Sequence, residues 1–114
     1  LFHSRLTYNV APHENTNTEV IPEFDELERR LISSCDWYVS YVSKLENEEE
    51  KFPFTFADGK HGMMTSAEIL FHIVNHASYH RGSIAHALDL ASVAHPIDGY
   101  GIYIHEKEPE RRKT

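Results

Sequence analysis

Two histidines, His76 and His80, stand in the middle of the apolar face of a long helix, and that placement constrains the chain more than any other feature. The helix opens at Thr65-Ser66-Ala67-Glu68, a capping box in which the Thr hydroxyl and the Glu carboxylate each reach a backbone N–H of the other's residue. It is expected to run to about Ala91. With about 100° of rotation per residue and His76 at zero, Ile69 and Ala87 fall near 20°, His80 near 40°, Ile73 and Ala91 near 60° and Ile84 near 80°. A stripe of this kind buries itself against other helices, so both imidazoles are expected to face inward. His72 lies on its flank at about −40° and His86 further out at about −80°.

Burial of an imidazole nitrogen without a partner costs about 1–3 kcal/mol. Side chains at i and i+4 have Cβ atoms about 5–6 Å apart, which allows two imidazoles to converge on one cation. For zinc the nitrogens would lie about 2.0–2.1 Å from it. Core histidines bonded to neighbouring groups meet the same need, so the spacing leaves metal ligation and core packing both open. Ala77 stands where a His-Glu-x-x-His metalloprotease requires its general base, which disfavours proteolysis by that mechanism.

Nine of the 114 residues are histidine and one, Cys35, is cysteine. Histidine is the commonest metal ligand. A single cysteine excludes an internal disulfide framework and a cysteine-based zinc site. The net charge of −7, with no basic face, argues against binding nucleic acid by neutralising phosphates. No run approaches the roughly 20 apolar residues of a membrane span. The first residues lack the basic-then-apolar pattern of a secretory leader, so no membrane partner and a cytoplasmic location are expected.

Leu1–Tyr8 reads as the last turns of a helix whose beginning lies upstream, and Asn9–Thr18, polar and containing Pro12, as a loop. A second long helix is expected from Pro22, placed at the first helical position, to about Leu45. Its seam is Phe24, Leu27, Leu31, Cys35, Tyr38, Val42 and Leu45. The acidic run Glu46–Glu50 ends it as a solvated terminus. Phe52, Phe54 and Phe56 alternate with Pro53 and Thr55, and Asp58-Gly59 supplies a turn, so Lys51–Met64 reads as a β-hairpin. Its aromatic triplet either packs over the end of the helices or lines a ligand pocket. Val93–Tyr100 is expected as a turn region, Ile102–Ile104 as a short extended segment, and Glu106–Thr114 as a frayed tail.

The run from His72 to Ile84 (His-Ile-Val-Asn-His-Ala-Ser-Tyr-His-Arg-Gly-Ser-Ile) resembles the signature helix of the DinB/YfiT-like superfamily, the damage-inducible metal-binding proteins. Leu1–Leu6 looks like the end of that family's second helix, Phe52–Met64 like its hairpin connection, and Pro96-Ile97-Asp98 like the stretch after its last long helix. The resemblance implies an all-α fold, a DinB-like four-helix bundle present here as about three helices with a small β-hairpin. It also implies a single domain over residues 1–114, incomplete at its N-terminus.

In such proteins three histidines hold a divalent metal ion (zinc, nickel or iron) in the bundle core, and His76 and His80 match the last two. The first ligand would lie about nine residues before the position of His3, upstream of Leu1. Nine residues turn a helix by about 900°, so His3 points to the opposite side and does not replace it. Tyr79 stands where many members carry a further histidine, and Ser83 where they carry glutamine. Relatives include metal-dependent thiol S-transferases, which implies a transferase acting with a low-molecular-weight thiol on an electrophile, and a homodimer. In that reading Asn75 and Tyr79 would hydrogen-bond around the metal, and Arg81 would pair with a substrate carboxylate or with a carboxylate of the bundle. The alternative is a non-catalytic, stress-related helical module, or a remnant that dimerises without chemistry.

Overall fold

The computed structural model describes residues 2–8, 19–56 and 58–112, so the expected loop at Asn9–Thr18 lies outside the described residues. The described chain is mostly helical, with one two-stranded antiparallel sheet. Its elements are α1 (Phe2–Leu6), α2 (Phe24–Ser43), β1 (Lys51–Thr55), β2 (His61–Thr65), α3 (Ser66–Leu90), α4 (Tyr100–Lys107) and a 3-10 turn at Pro109–Arg111. Contacts divide it into two compact units, Leu1–Leu70 and Phe71–Thr114. None of the described helices is long and apolar enough to cross a membrane.

The first unit is organised around the hairpin. Lys51 pairs with Thr65, Phe52 with Met64 and Thr55 with His61, and the closing turn is fastened by Phe56 N–H to the Lys60 carbonyl at 2.8 Å. Gly59 takes φ +82°, a left-handed conformation that glycine adopts without a Cβ clash. At Gly62 the Phe56 ring lies over the backbone, and a Cβ there would lie 2.5 Å from Phe56 Cε2, so any larger residue would make that exposed ring shift. Phe52, Leu6 and Ile69 form the small apolar centre, at 1%, 5% and 0% exposure. The ring of Tyr8 tilts against Phe52 at 4.9 Å, and the Arg5 guanidinium sits 4.0 Å from the Phe54 ring centre. Phe52 and Phe54 therefore pack against Tyr8 and Arg5, whereas Phe56 is exposed.

The first turn of α3 belongs to this unit and is thoroughly satisfied. Glu68 N–H donates to Thr65 Oγ1 at 3.1 Å, and Thr65 N–H donates to Glu68 Oε2 at 2.8 Å, the reciprocal bonds of a capping box. Ser66, fully buried, donates its hydroxyl toward the carbonyls of Asn47 and Glu48 at 3.1 and 2.8 Å. Ser66 N–H and Ala67 N–H donate to the carbonyls of Glu50 and Glu48. The acidic run is thus more than a solvated helix end, since its backbone supplies acceptors for the free N–H groups that every helix start presents.

α2 departs from its expected seam. The helix begins at Phe24 with Glu23 as N-cap, so Pro22 precedes the cap, and it ends at Ser43 with Lys44 as C-cap. Phe24, Leu31 and Val42 are exposed, whereas Trp37, Tyr38 and Tyr41 are half-buried. The covered stretch is the one that meets α1, where the His3 ring lies 3.8 Å from Trp37 and Tyr41 stacks on Trp37 at 5.0 Å.

In the second unit α3 ends in a Schellman motif. Val93 N–H donates to the Leu88 carbonyl and Ser92 N–H to that of Asp89, with Ser92 at φ +56°. The residues expected as an extended segment are helical instead. Ile102 and Ile104 lie in α4, where Tyr100 and Tyr103 stack one turn apart at 6.2 Å. Three residues of alternation cannot separate strand from helix, and the Tyr pair at i and i+3 carried the helical period. Nor is the tail frayed through Arg112, whose guanidinium Nε donates to the His105 carbonyl at 2.8 Å and so serves an open acceptor at the end of α4.

Candidate functional site

His76 and His80 lie one turn apart on α3, and their rings converge. The two Nε2 atoms are 2.9 Å apart, with ring centres at 4.4 Å and planes at 85°. His72 stacks parallel to His76 on the preceding turn at 5.3 Å, and the Tyr79 ring lies 5.5 Å from that of His80.

This separation suits two chemistries. It is hydrogen-bond length if one Nε2–H donates to the other's lone pair. With both Nε2 atoms free of protons, the lone pairs meet in front of the rings. Two nitrogens each about 2.05 Å from one ion are about 2.9 Å apart at a right angle and about 3.3 Å apart at a tetrahedral one. The residues present therefore fit two adjacent positions of a divalent ion with little adjustment. Among the described residues no group of three or more His, Cys, Asp or Glu side chains is placed to hold a metal.

The inward-facing expectation is overturned: both rings are exposed. Within the second unit the chain returns along the other side of α3, whose residues are there exposed or half-buried. From Val93 it lays Pro96–Gly99, Tyr100 and Tyr103 beside Val74, Ser78, Gly82 and Ala85, enclosing a cleft of about 700 Å³. Ser78 and Ala85 lie about 160–200° around the helix from His76. Two polar ties hold the return on that side. Arg81 Nε donates to Asp98 Oδ2 at 2.6 Å while its Nη2 donates to Ser78 Oγ at 3.0 Å. His95 is placed with Nε2 2.9 Å from Asp89 Oδ1 and Nδ1 2.9 Å from the Pro96 carbonyl.

Arg81 therefore pairs with a carboxylate of its own unit, the structural one of its two expected roles. Asn75 and Tyr79 are both exposed, and neither shows a hydrogen bond to the imidazole pair. The contacts of His95 with a carbonyl and a carboxylate, both pure acceptors, favour the doubly protonated ring, and its pKa is raised accordingly, first by the Pro96 carbonyl and then by Asp89. Sequence reasoning missed this residue because neither of its partners sits at a helical repeat from it. The signal available was a histidine directly before a proline, a few residues past a helix end carrying Asp89.

Comparison with known proteins places these residues in a wider frame. The profile of the DinB family matches residues 1–112. The Protein DinB of Bacillus subtilis (strain 168) is 31% identical over 100 residues, covering 86% of this chain and 55% of that protein. The chain thus spans a little over half the length of the curated relative it matches. No solved structure matches it.

Proposed function

The chain belongs to the DinB family, and from that premise we propose that it binds a divalent metal ion, zinc, nickel or iron, through His76 and His80 and acts as a metal-dependent transferase of the thiol S-transferase type. The observation that carries this reading is the convergence of the two Nε2 atoms at 2.9 Å on one face of α3. A DinB-like four-helix bundle is the architecture that goes with this reading.

An ion held by His76 and His80 would lower the pKa of a bound water or thiol and so would supply a nucleophile near neutral pH. The chain's own contribution is positional. α3 fixes the two rings at i and i+4, and the stack of His72 on His76 restricts the first ring's rotation. Each ring would have to turn an unprotonated nitrogen to the ion. Arg81 is turned away from the pair and engaged by Asp98, so it steadies the fold of the second unit.

One observation favours the rival reading of a helical module without chemistry: at 2.9 Å the two imidazoles can satisfy one another. Elemental analysis of protein purified without nickel affinity decides between them. Stoichiometric metal in the wild type, lost in both His76→Ala and His80→Ala, supports the metal reading, and metal-free wild type supports the module. Turnover of an electrophile with a low-molecular-weight thiol, abolished by the same substitutions, then tests the transferase activity.

A further inference from the structure

We propose that the cavity where α2 ends, walled by Trp37 and Tyr41 and rimmed by Glu46 and Glu50, binds a small organic cation carrying an alkylated ammonium group. The cavity lies wholly within the first unit, and its test leaves the metal reading of α3 untouched.

One wall comes from α2. Trp37, Tyr41 and Lys44 stand at i, i+4 and i+7, within about 60° of helical rotation. Trp37 and Tyr41 are half-buried, and their rings stack at 5.0 Å with planes 21° apart. The His3 ring packs on Trp37 at 3.8 Å, so α1 braces this wall. The space enclosed is about 460 Å³, within the ~300–1,000 Å³ of small-molecule sites.

The other wall is the acidic turn that follows α2, and its backbone is pinned. Glu50 N–H donates to the Asn47 carbonyl at 3.3 Å, and Glu49 N–H donates to Asn47 Oδ1 at 3.1 Å. The Asn47 carbonyl also accepts the Ser66 hydroxyl, and the Glu50 carbonyl accepts the Ser66 N–H. A site formed before its ligand arrives spends less on ordering. The Tyr8 hydroxyl donates to Glu50 Oε1 at 3.2 Å, which orients that carboxylate. Neither Glu46 nor Glu50 joins an ion pair among the described residues. The Glu50 charge is felt at the wall, where the Tyr41 hydroxyl has its pKa raised first by burial and then by Glu50.

These features select the class of ligand. Unpaired carboxylates beside the carbonyl end of a 20-residue helix favour a cation. A hard divalent ion takes about six or more oxygen donors, and no group of three or more metal-ligating side chains occurs among the described residues. Aromatic rings instead reward a weakly hydrated cation clothed in methyl groups. Lys44, the cation of the lining, lies over neither ring, since the cation–ring contacts among the described residues are those of Arg5. Its ammonium opposes a cationic ligand.

Trp37 is the only tryptophan of the chain, so its fluorescence reads the wall directly. The test titrates choline into the intact chain at constant chloride, beside the uncharged analogue in which a tert-butyl group replaces the trimethylammonium. The expected result is a saturable change with choline and none with the analogue. Tyr41→Leu should weaken binding by roughly two- to fivefold, the range for one cation–aromatic contact at a part-exposed site. Glu50→Gln should weaken it at least as much, while its amide oxygen still accepts the Tyr8 hydroxyl. Lys44→Gln, at an exposed position, should tighten it, a change that a merely structural lysine would not give. No saturable response overturns the site, and so does an equal response to the uncharged analogue, which marks a plain apolar pocket. An affinity that ignores Lys44→Gln overturns it as well, a criterion that stands even if Glu50→Gln fails to fold.

Discussion

The two ends of α3 are made of one continuous helix, yet they live in opposite environments. At its start Ser66 and Ile69 are wholly buried, and the free N–H groups meet backbone and side-chain acceptors. From Phe71 onward no residue of the helix is buried, and the imidazole pair faces water. The difference shows that the helical period alone does not decide which stripe is covered. What decides it is which neighbours the chain brings back, and with what ties. The start of α3 is secured by the Asn47–Glu50 backbone and the hairpin, and its later turns by the segment that Arg81 and His95 hold in place.

That contrast can be broken by substitution. Ile69→Ala should cost about 2–5 kcal/mol in chemical denaturation, the range for deleting a buried aliphatic side chain. Ile84→Ala, at an exposed position of the same stripe, should change stability by no more than about 0.5 kcal/mol. Comparable losses at the two positions would mean that both ends of the helix are equally covered in solution. Ser66→Ala should cost about 0.5–1.5 kcal/mol, because it removes the hydroxyl that donates to the carbonyls of Asn47 and Glu48 while each keeps a backbone N–H donor, from Glu50 and Ala67. A neutral outcome in thermal melts would show that water replaces the hydroxyl there.

The exit of α3 sharpens the comparison in the other sense. Ser92 holds φ +56°, where a Cβ costs about 1–2 kcal/mol, so Ser92→Gly should raise stability by up to about 1 kcal/mol. An unchanged melting midpoint would put the strain elsewhere.

The smallest expected effect is a pH dependence at His95, whose folded pKa lies above its unfolded value. The linked stabilisation is fully present below the unfolded pKa and disappears as pH rises through the folded one. The tie to Asp89 and Pro96 should therefore loosen on going from mildly acidic to mildly alkaline solution. Amide hydrogen exchange at Val93–Gly99 would report it as protection that falls with pH beyond the intrinsic rate, and His95→Gln should flatten that profile.

How much of this was legible beforehand follows the range of each interaction. The capping box was readable because Thr65 and Glu68 are three residues apart and their bonds are local. The hairpin and both long helices were readable from period and turn chemistry, to within a residue or two at each end. The i, i+4 meeting of His76 and His80 was readable for the same reason. Their exposure was not, because it depends on Arg81 finding Asp98 seventeen residues away and on His95 reaching back across the helix end. Helix α4 was hidden by a three-residue alternation, and the seam of α2 by the assumption that every apolar stripe is matched along its whole length.

The buried hydroxyl of Ser66 has one more consequence, for the order in which the molecule assembles. It joins positions 18 and 19 residues apart in the chain, with the whole hairpin between them. Those bonds exist only once that loop has closed, and closure exacts its entropy before any contact rewards it. The nucleus of α3 and the two strands should accordingly form in a single step, and a transition state that contains one should contain the other.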